Sequence, residues 1–382
     1  MKIGLVSPYD YPFPGGVTEH IANLARELVR RGHDVRVIAP SSALEEALVQ
    51  EDGVQVHRVG SIVRVPIHGS WARVSLSPRV FRRVQTLLEE ETFDLLHLHE
   101  PLLPLLPLAV LWYSRAANVG TFHAYWERSR YYAFWRPLLR PFFRRLHARI
   151  AVSQAARGYV ARYFPDEYHI IPNGVDVHHF RPDVPPLEDY ADGRPTVVFV
   201  GRLEPRKGFG YLLRAFRALK QAEPRARLLV AGAYSTSDRY RWQAVAASLG
   251  VRDVVFLGQL SRSELAHCYA TATVCCFPST GGESFGIVLL EAMASGRAVV
   301  ATAIPGYSEV VRHEVEGLLV PPRDPAALAL ALLRLLRDDA FRARLEANAR
   351  ARAEEFAWER VADRVLEVYM HARERAGGTA AA

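Results

Sequence analysis

Short runs of β-branched and aliphatic residues alternate with longer helical stretches along the whole of this chain, and they do so in two series. The first reads Ile3 to Ser7, a Gly15-Gly16 loop, a helical stretch from Val17 to Arg31, then Val35 to Ala39, Val54 to Val59, Leu95 to Leu98 and Ile150 to Val152. The second begins after Pro172-Asn173-Gly174-Val175-Asp176 and runs through Thr196 to Val200, Arg227 to Ala231, Val254 to Leu257, Val274 to Phe277 and Ala298 to Ala301. Strands separated by helices pair in parallel and are covered by those helices. At 382 residues the chain exceeds a usual single core. The expectation is therefore two α/β domains with doubly wound sheets, whose ligands sit beyond the carboxyl ends of the strands. Neither first strand is followed by G-x-G-x-x-G, which argues against a dinucleotide dehydrogenase. The stretch from Pro325 to Arg375 reads as helical, with Trp358 and Val361 opening a last helix placed to cross back to the first domain.

Composition narrows the class. Hydrophobic content of 49% with 23% charged residues describes an ordinary globular protein, with disorder expected only in the Gly-Gly-Thr-Ala-Ala-Ala tail. Cys268, Cys275 and Cys276 have neither C-x-x-C spacing nor a His cluster beside them, so no disulfide framework or zinc site is expected and a reducing cytosol fits. Met1 to Val6 is a short strand rather than a signal peptide. No segment approaches the roughly 20 apolar residues of a spanning helix, and the run from Pro101 to Tyr113 is short and broken by Pro104 and Pro107. A net charge of +7 points to an anionic partner: nucleic acid, a phosphorylated ligand or a membrane surface.

Gly281-Gly282-Glu283-Ser284-Phe285-Gly286 leads into an apolar run that reaches Glu291. With Ser284 capping a helix from about Phe285 to Ala294, free N–H groups and the positive dipole end would seat a diphosphate. Glu283 and Glu291 would then lie about 12 Å apart along the axis, suiting a hexose and a ribose, whose hydroxyls a carboxylate accepts. The alternative is a Gly-rich turn into an amphipathic helix with two solvated glutamates. Gly201-Arg202-Leu203-Glu204-Pro205-Arg206-Lys207-Gly208 follows the first strand of the second series, in a chain whose lysines are only Lys2, Lys207 and Lys220. An ammonium at Lys207 and a guanidinium at Arg202 would stabilise a leaving nucleoside diphosphate. The alternative is a basic loop paired with Glu204.

Gly15-Gly16 permits close backbone approach to a ligand, or serves a turn needing positive φ. His123 sits at a strand end facing the ligand region, or is structural. His97, His99 and Glu100 lack a third fixed ligand for a metal, and no metal is assigned. Between Arg128 and Pro165 there is no acidic residue, and arginines interleave with Tyr131, Tyr132, Phe134, Trp135, Phe142 and Phe143. This suits an anionic bilayer, as does Pro78 to Glu90, where Val80, Phe81, Val84, Leu87 and Leu88 share a helical face beside Arg79, Arg82 and Arg83. Core-facing aromatics with solvated arginines are the alternative for both. Single-stranded nucleic acid is disfavoured by the phosphate-and-hydroxyl set elsewhere.

Taken together, Gly15-Gly16, His123, Pro172 to Asp176, Arg202 with Lys207, and Glu283-x7-Glu291 resemble the retaining glycosyltransferase family 4 of GT-B fold. Ser7-Pro8-Tyr9, Pro14-Gly15-Gly16-Val17, Gly69 to Arg73, His97 to Pro101 and Gly281 to Val288 are similar to bacterial phosphatidylinositol mannosyltransferases. The resemblance implies two Rossmann-like domains facing a central cleft. Residues 1–170, with 351–376 crossing back, would bind the acceptor, and 171–350 the nucleotide-sugar. It implies transfer of a hexose, mannose from GDP-mannose being favoured, to a lipid headgroup such as phosphatidylinositol or a related glycolipid. The site would lie at the inner face of the membrane of a cytoplasmic, peripheral enzyme. Gly15 and Gly16 would lie against the diphosphate, Arg202 and Lys207 would bind it, and Glu283 with Ser284, Phe285, Gly286, Ile287 and Glu291 would hold sugar and ribose. His123 would face sugar and acceptor, with Tyr9, Thr18 and Arg128 on the acceptor side. Arg128 stands where those enzymes have lysine, Thr18 replaces a glutamine, Leu102 an asparagine and Ala124 a threonine. Gln259 to Ser263 lacks the aspartates found near the guanine, so a UDP-hexose and another acceptor stay open. No permanently bound cofactor is implied, Mg2+ being an option that travels with the donor. A nucleotide-sugar epimerase on the same scaffold, or a non-catalytic sugar- or lipid-binding module, are the readings from other classes.

Overall fold

The computed structural model describes residues 1–11, 15–41, 48–51, 54–67 and 70–379; Pro14, Gly69 and the last three alanines lie outside the described residues. The chain divides into two compact units, Met1–Gly174 with Trp358–Ala382, and Val175–Ala357.

In the first unit the strands are β1 (Lys2–Val6), β2 (Asp34–Ser41), β3 (Leu48–Glu51), β4 (Val54–Ser61), β5 (Val63–Ile67), β6 (Ser70–Val74), β7 (Leu95–His99), β8 (Ala117–Phe122), β9 (Ala148–Ala151) and β10 (His169–Ile170). Its helices are α1 (Gly16–Arg30), α2 (Arg79–Glu90), α3 (Leu106–Tyr113), α4 (Arg130–Arg144) and α5 (Gln154–Ala161). An 8-stranded sheet runs β10-β9-β8-β7-β1-β2-β4-β3, parallel except for β3 against β4, while β5 and β6 form a separate antiparallel hairpin. The order reverses at β1, between β7 and β2, which makes the ends of β1 and β7 the switch point.

The second unit holds β11 (Thr196–Val200), β12 (Arg227–Ala231), β13 (Val254–Gly258), β14 (Val274–Phe277), β15 (Ala298–Thr302) and β16 (Gly317–Val320). Its helices are α6 (Phe209–Ala222), α7 (Thr236–Ser248), α8 (Arg262–Thr271), α9 (Ile287–Ala294), α10 (Pro305–Ser308), α11 (Pro325–Arg337) and α12 (Asp339–Glu354). The six strands run β13-β12-β11-β14-β15-β16, all parallel, so here the order reverses at β11 beside β14.

The strands read from the sequence are observed, and β3, β5, β6, β8, β10 and β16 are added to them. Strands β11, β12 and β14 begin and end where the apolar runs do, because each is buried on both faces and needs an unbroken apolar run. Strand β8 escapes that rule. It is buried throughout but contains Asn118, Gly120 and Thr121, and the Asn118 and Thr121 side chains are satisfied by Ser114 and His97. The return helix, α13 (Trp358–Thr379), belongs to the first unit. It buries Val361, Ala362, Val365, Val368, Tyr369 and Ala372 in a core shared with Ile21, Leu24 and Leu28 of α1. Each buried Val, Leu or Ile side chain here contributes about 1.5–3 kcal/mol, and the alanines less. The return begins at Trp358 rather than 351, because residues up to 357 complete the second unit, where Leu345 joins its core and the Phe356 carbonyl accepts from the Val175 amide. The first unit likewise extends past 170 to Gly174, and α13 runs through Gly377 to Thr379, so these three residues of the tail are helical.

Gly174 is fixed by packing. A Cβ there would lie 2.5 Å from Cδ2 of Trp358, whose ring meets His20 edge-on at 5.0 Å. Gly174→Ala should lower stability by about 1–3 kcal/mol, read as a shifted midpoint in urea unfolding followed by tryptophan fluorescence. Gly158→Ala in α5, where a Cβ meets nothing within 4 Å, should leave that midpoint unchanged or raise it by up to about 1 kcal/mol.

Candidate active site

In the second unit the loops after the neighbouring strands β11 and β14 meet. The first passes through a turn of 3-10 helix, Pro205–Lys207, and enters α6 at Gly208, with φ +72°. A Cβ on Gly208 would stand 1.8 Å from the Pro278 carbonyl oxygen, so only glycine lets the loops close. The Thr280 amide donates to the Arg206 carbonyl at 2.7 Å across the seam. Glu283 is the common partner: Oε1 lies 2.8 Å from Lys207 Nζ and 2.6 Å from Arg206 Nη1. Behind it Tyr307 and Ser279 share a hydrogen bond at 2.9 Å, and Ser279 donates to Glu283 at 3.3 Å. Burial pushes the Glu283 carboxyl up, but the charges of Lys207 and Arg206 and the hydrogen bonds outweigh it, and the net shift is downward.

Arg206 is the residue that sequence reasoning missed. Arg202, expected on the diphosphate, pairs with Glu204 at 2.9 Å and keeps 46% of its side chain exposed. Arg206 bridges Glu204 and Glu283. The signal was in the sequence, since Arg206 precedes Lys207 directly, but only the 3-10 turn decides which arginine faces Glu283. Three cations against two carboxylates leave this seam positive, suited to phosphate oxygens.

The helix start is corrected. Ser284 does not cap it, and Phe285 is not in it. The N-cap is Gly286, at φ +115°, and α9 begins at Ile287. Phe285 is buried against Phe356, ring centroids 5.8 Å apart. A Cβ on Gly286 would meet Leu289 and Tyr307 at 2.8 Å. The packing of Leu289 and Tyr307, together with the positive φ, therefore admits only glycine at the N-cap where a serine cap was expected. Glu283 lies in the loop ahead of the helix, so the axial spacing to Glu291 does not apply. Glu291 is buried and accepts from the Tyr269 hydroxyl at 2.8 Å, which excludes a solvated glutamate.

In the first unit the residues gather at the ends of β1, β7 and β8. Gly15 and Gly16 are exposed at the start of α1, and Gly15 is extended at φ −176°, so no positive φ explains it. Thr18 is buried with its hydroxyl donating back to the Gly15 carbonyl at 2.9 Å. Tyr9 is partly buried, its hydroxyl pushed well up by burial and then by the Glu100 charge. Arg128 is exposed just before α4.

His123 is the first residue past β8 and is buried with His20 and His99. His123 Nε2 lies 2.9 Å from His99 Nδ1, and His20 Nδ1 lies 2.9 Å from Asn173 Oδ1. His97 bonds Tyr369 and Thr121 at 2.7 and 2.6 Å. His20 and Asn173 join this set through folding alone; nothing in their spacing announces it. Burial, then neighbouring imidazoles, hold His99 and His123 well below 6.5. Burial pulls His97 down to about 3, and His20 to about 4 against the raising bond to Asn173. These rings are neutral. One nitrogen from each of His20, His99 and His123 lies within 4.8 Å of the others, a set that could hold a transition metal. The His99–His123 pair argues against it, since nitrogens on a tetrahedral zinc stand about 3.3 Å apart and these share a hydrogen bond at 2.9 Å.

Two family models match the chain, "Glycosyltransferase Family 4" over residues 14–179 and "Glycosyl transferases group 1" over 186–352. The phosphatidyl-myo-inositol mannosyltransferase of Mycobacterium tuberculosis is 38% identical over 377 residues, 97% of this chain and 96% of that one. Among solved structures, sucrose-phosphate synthase of Thermosynechococcus elongatus matches with TM-score 0.76 at 23% identity, covering 97% of this chain and 98% of its own. HepE of Anabaena, solved with UDP and glucose, matches with TM-score 0.77 at 21% identity over 96% and 98%.

Because Glu283 is held below its ordinary 4.5, the stabilisation from its ion pairs is fully present above that value and is lost as pH falls through the folded pKa. Thermal midpoints measured downward from pH 5 should fall more steeply for the native chain than for Glu283→Gln.

Proposed function

As the chain belongs to the family 4 glycosyltransferases of GT-B fold, we propose that it is a retaining enzyme moving a hexose from a nucleotide-sugar to a phosphatidylinositol-type headgroup. GDP-mannose is the favoured donor, with a UDP-hexose the other member of the class. The carrying observation is the seam at the β11–β14 switch point, where Lys207 and Arg206 converge on Glu283. The name of the mycobacterial relative supports the acceptor and the sugar, and the UDP and glucose of HepE support a nucleotide-sugar as donor.

In this reading the donor diphosphate takes Lys207 from Glu283, with Arg202 and Arg206 adding guanidinium contacts. Glu283, freed of one cation, accepts from sugar hydroxyls and Glu291 from the ribose. Gly15 and Gly16 leave room for the phosphates at the start of α1. The acceptor hydroxyl attacks the anomeric carbon from the leaving-group side as the carbon–oxygen bond to phosphate breaks. Its proton passes to the departing phosphate oxygen, so no side chain acts as nucleophile. His123 orients sugar and acceptor, while Tyr9, Thr18 and Arg128 contact the headgroup. The cations act where charge develops, and such donors typically contribute ~10²–10³ in rate.

The acceptor requires a lipid surface, and α4 is the element suited to it. Tyr132, Leu139 and Phe143 turn into the core. Phe134 and Leu138 remain 75% and 62% exposed and Trp135 42%, among Arg130, Arg136, Arg140 and Arg144 with no acidic residue on the helix. Trp112 of α3, 60% exposed, extends this apolar strip through Phe142, ring centroids 5.9 Å apart. Aromatic side chains at headgroup depth with arginines on phosphates fit the cytoplasmic face of a cell membrane. Helix α2 differs: Val80, Val84 and Leu87 of its apolar stripe are buried, and its exposed face mixes Arg79, Arg82 and Arg83 with Gln85, Thr86, Glu89 and Glu90. Among the described residues no helix is long and apolar enough to cross a membrane.

Turnover of GDP- and UDP-sugars with phosphatidylinositol in mixed vesicles tests the reading, with the anomer of the product read by NMR. Lys207→Ala should lower kcat about 100-fold or more with the fold intact, and an inverted anomer would overturn the retaining assignment. In vesicle flotation the chain should float with anionic lipid and far less with neutral lipid. Replacing Phe134, Trp135 and Leu138 together by serine should abolish flotation.

A further inference from the structure

We propose that the strand-end pair His99-Glu100 is a positioning device for His123, in which His99 sets the tautomer of the imidazole and Glu100 clamps the backbone that carries it. The inference rests on His123 facing the reacting groups.

Strands β7 and β8 are paired with His99 opposite Thr121, so Glu100 and His123 leave adjacent strand ends. Glu100 is one of few non-glycine residues at positive φ, +49°. That conformation costs on the order of 1–3 kcal/mol and persists only where the surroundings enforce it. Its surroundings do so: the Glu100 amide donates to the Thr121 carbonyl at 2.8 Å, and Oε1 accepts from the amides of His123 at 2.6 Å and Ala124 at 2.7 Å. Three hydrogen bonds thus tie one strained residue to the end of β8. Glu100 is 3% exposed, and among the described residues no cation pairs with its carboxyl. Burial pushes it up to about 7 against the lowering effect of the two amides. A buried carboxylate without a counter-ion is expensive, and what it secures here is the position of His123.

The side chain is governed by His99. Its Nδ1 faces His123 Nε2 at 2.9 Å, and its Nε2 is buried with no hydrogen-bond partner among the described residues. Of two neutral rings sharing one proton, one must donate. If His123 donated, His99 would carry its own proton on Nε2 and bury an orphaned N–H. If His99 donates through Nδ1, only a bare lone pair is orphaned. Buried unpaired N–H groups are the rarer case. His99 is therefore the donor, His123 Nε2 the acceptor, and the proton of His123 sits on Nδ1. Since burial holds both rings neutral, His123 offers a fixed N–H donor for a sugar or acceptor oxygen. It is not a general acid.

The test begins without substrate. In the full chain labelled with 15N-histidine, long-range 15N–1H spectra should place the His123 proton on Nδ1 and leave Nε2 unprotonated near neutral pH. A proton on Nε2 overturns the assignment. His99→Phe should shift His123 toward a tautomer mixture and lower kcat about 10-fold or more with KM changed less than about 3-fold. His99→Asn, whose amide can donate from the place of Nδ1, should restore most of both. Glu100→Ala should lower kcat similarly and Glu100→Gln should recover it, because an amide oxygen still accepts from both N–H groups. Spectra and kcat unmoved in His99→Phe and Glu100→Ala would overturn the proposal. Full turnover by His123→Ala would instead defeat the reading of His123, leaving the spectra to judge the tautomer separately.

Discussion

Glu283 is the group on which the second unit's site depends. A carboxylate that keeps 13% of its surface, paired with a lysine at 14% and an arginine at 21%, lies between the cost of desolvation and the gain of close charges. Isolated pairs of this kind are weak evidence for stability. Their value here is geometric, because the carboxylate pins two loops leaving neighbouring parallel strands. Gly208 makes the approach possible, and Tyr307 with Ser279 holds the carboxylate from behind. A site already carrying two cations is preorganised for an anion, whose oxygens replace those of Glu283 with little rearrangement.

The first unit is built on the opposite principle. His20, His97, His99 and His123 are buried together, and burial favours their neutral forms; Tyr369 and Thr121 orient His97, His123 orients His99 and Asn173 orients His20. Tyr369 lies on the return helix, so α13 both completes the core and satisfies a ring nitrogen beneath the site.

Helices α2 and α4 mark where pattern reading runs out. Both combine apolar or aromatic residues with arginines, and either could face a bilayer by composition. Phe134, Trp135 and Leu138 stay exposed while Val80, Val84 and Leu87 do not. What separates them is the position of each helix against the sheet, which periodicity within a helix does not contain. The same holds for Arg202 and Arg206, four residues apart in one loop.

The alternation of apolar runs and helices sufficed to determine two parallel α/β units, because most strands buried on both faces read as near-continuous apolar runs. It also located Lys207, Glu283 and His123 at strand ends. Strand β8 was obscured by polar residues whose partners come from elsewhere in the chain. The start of α9 was misplaced because the N-cap is Gly286, at positive φ and with no room for a Cβ beside Tyr307, 21 positions away in sequence. His20, the pair His99-Glu100 and Asn173 were brought to His123 from three other segments. Local preference fixes where elements form; side chains that meet only after the sheets assemble decide which of their neighbours become a site.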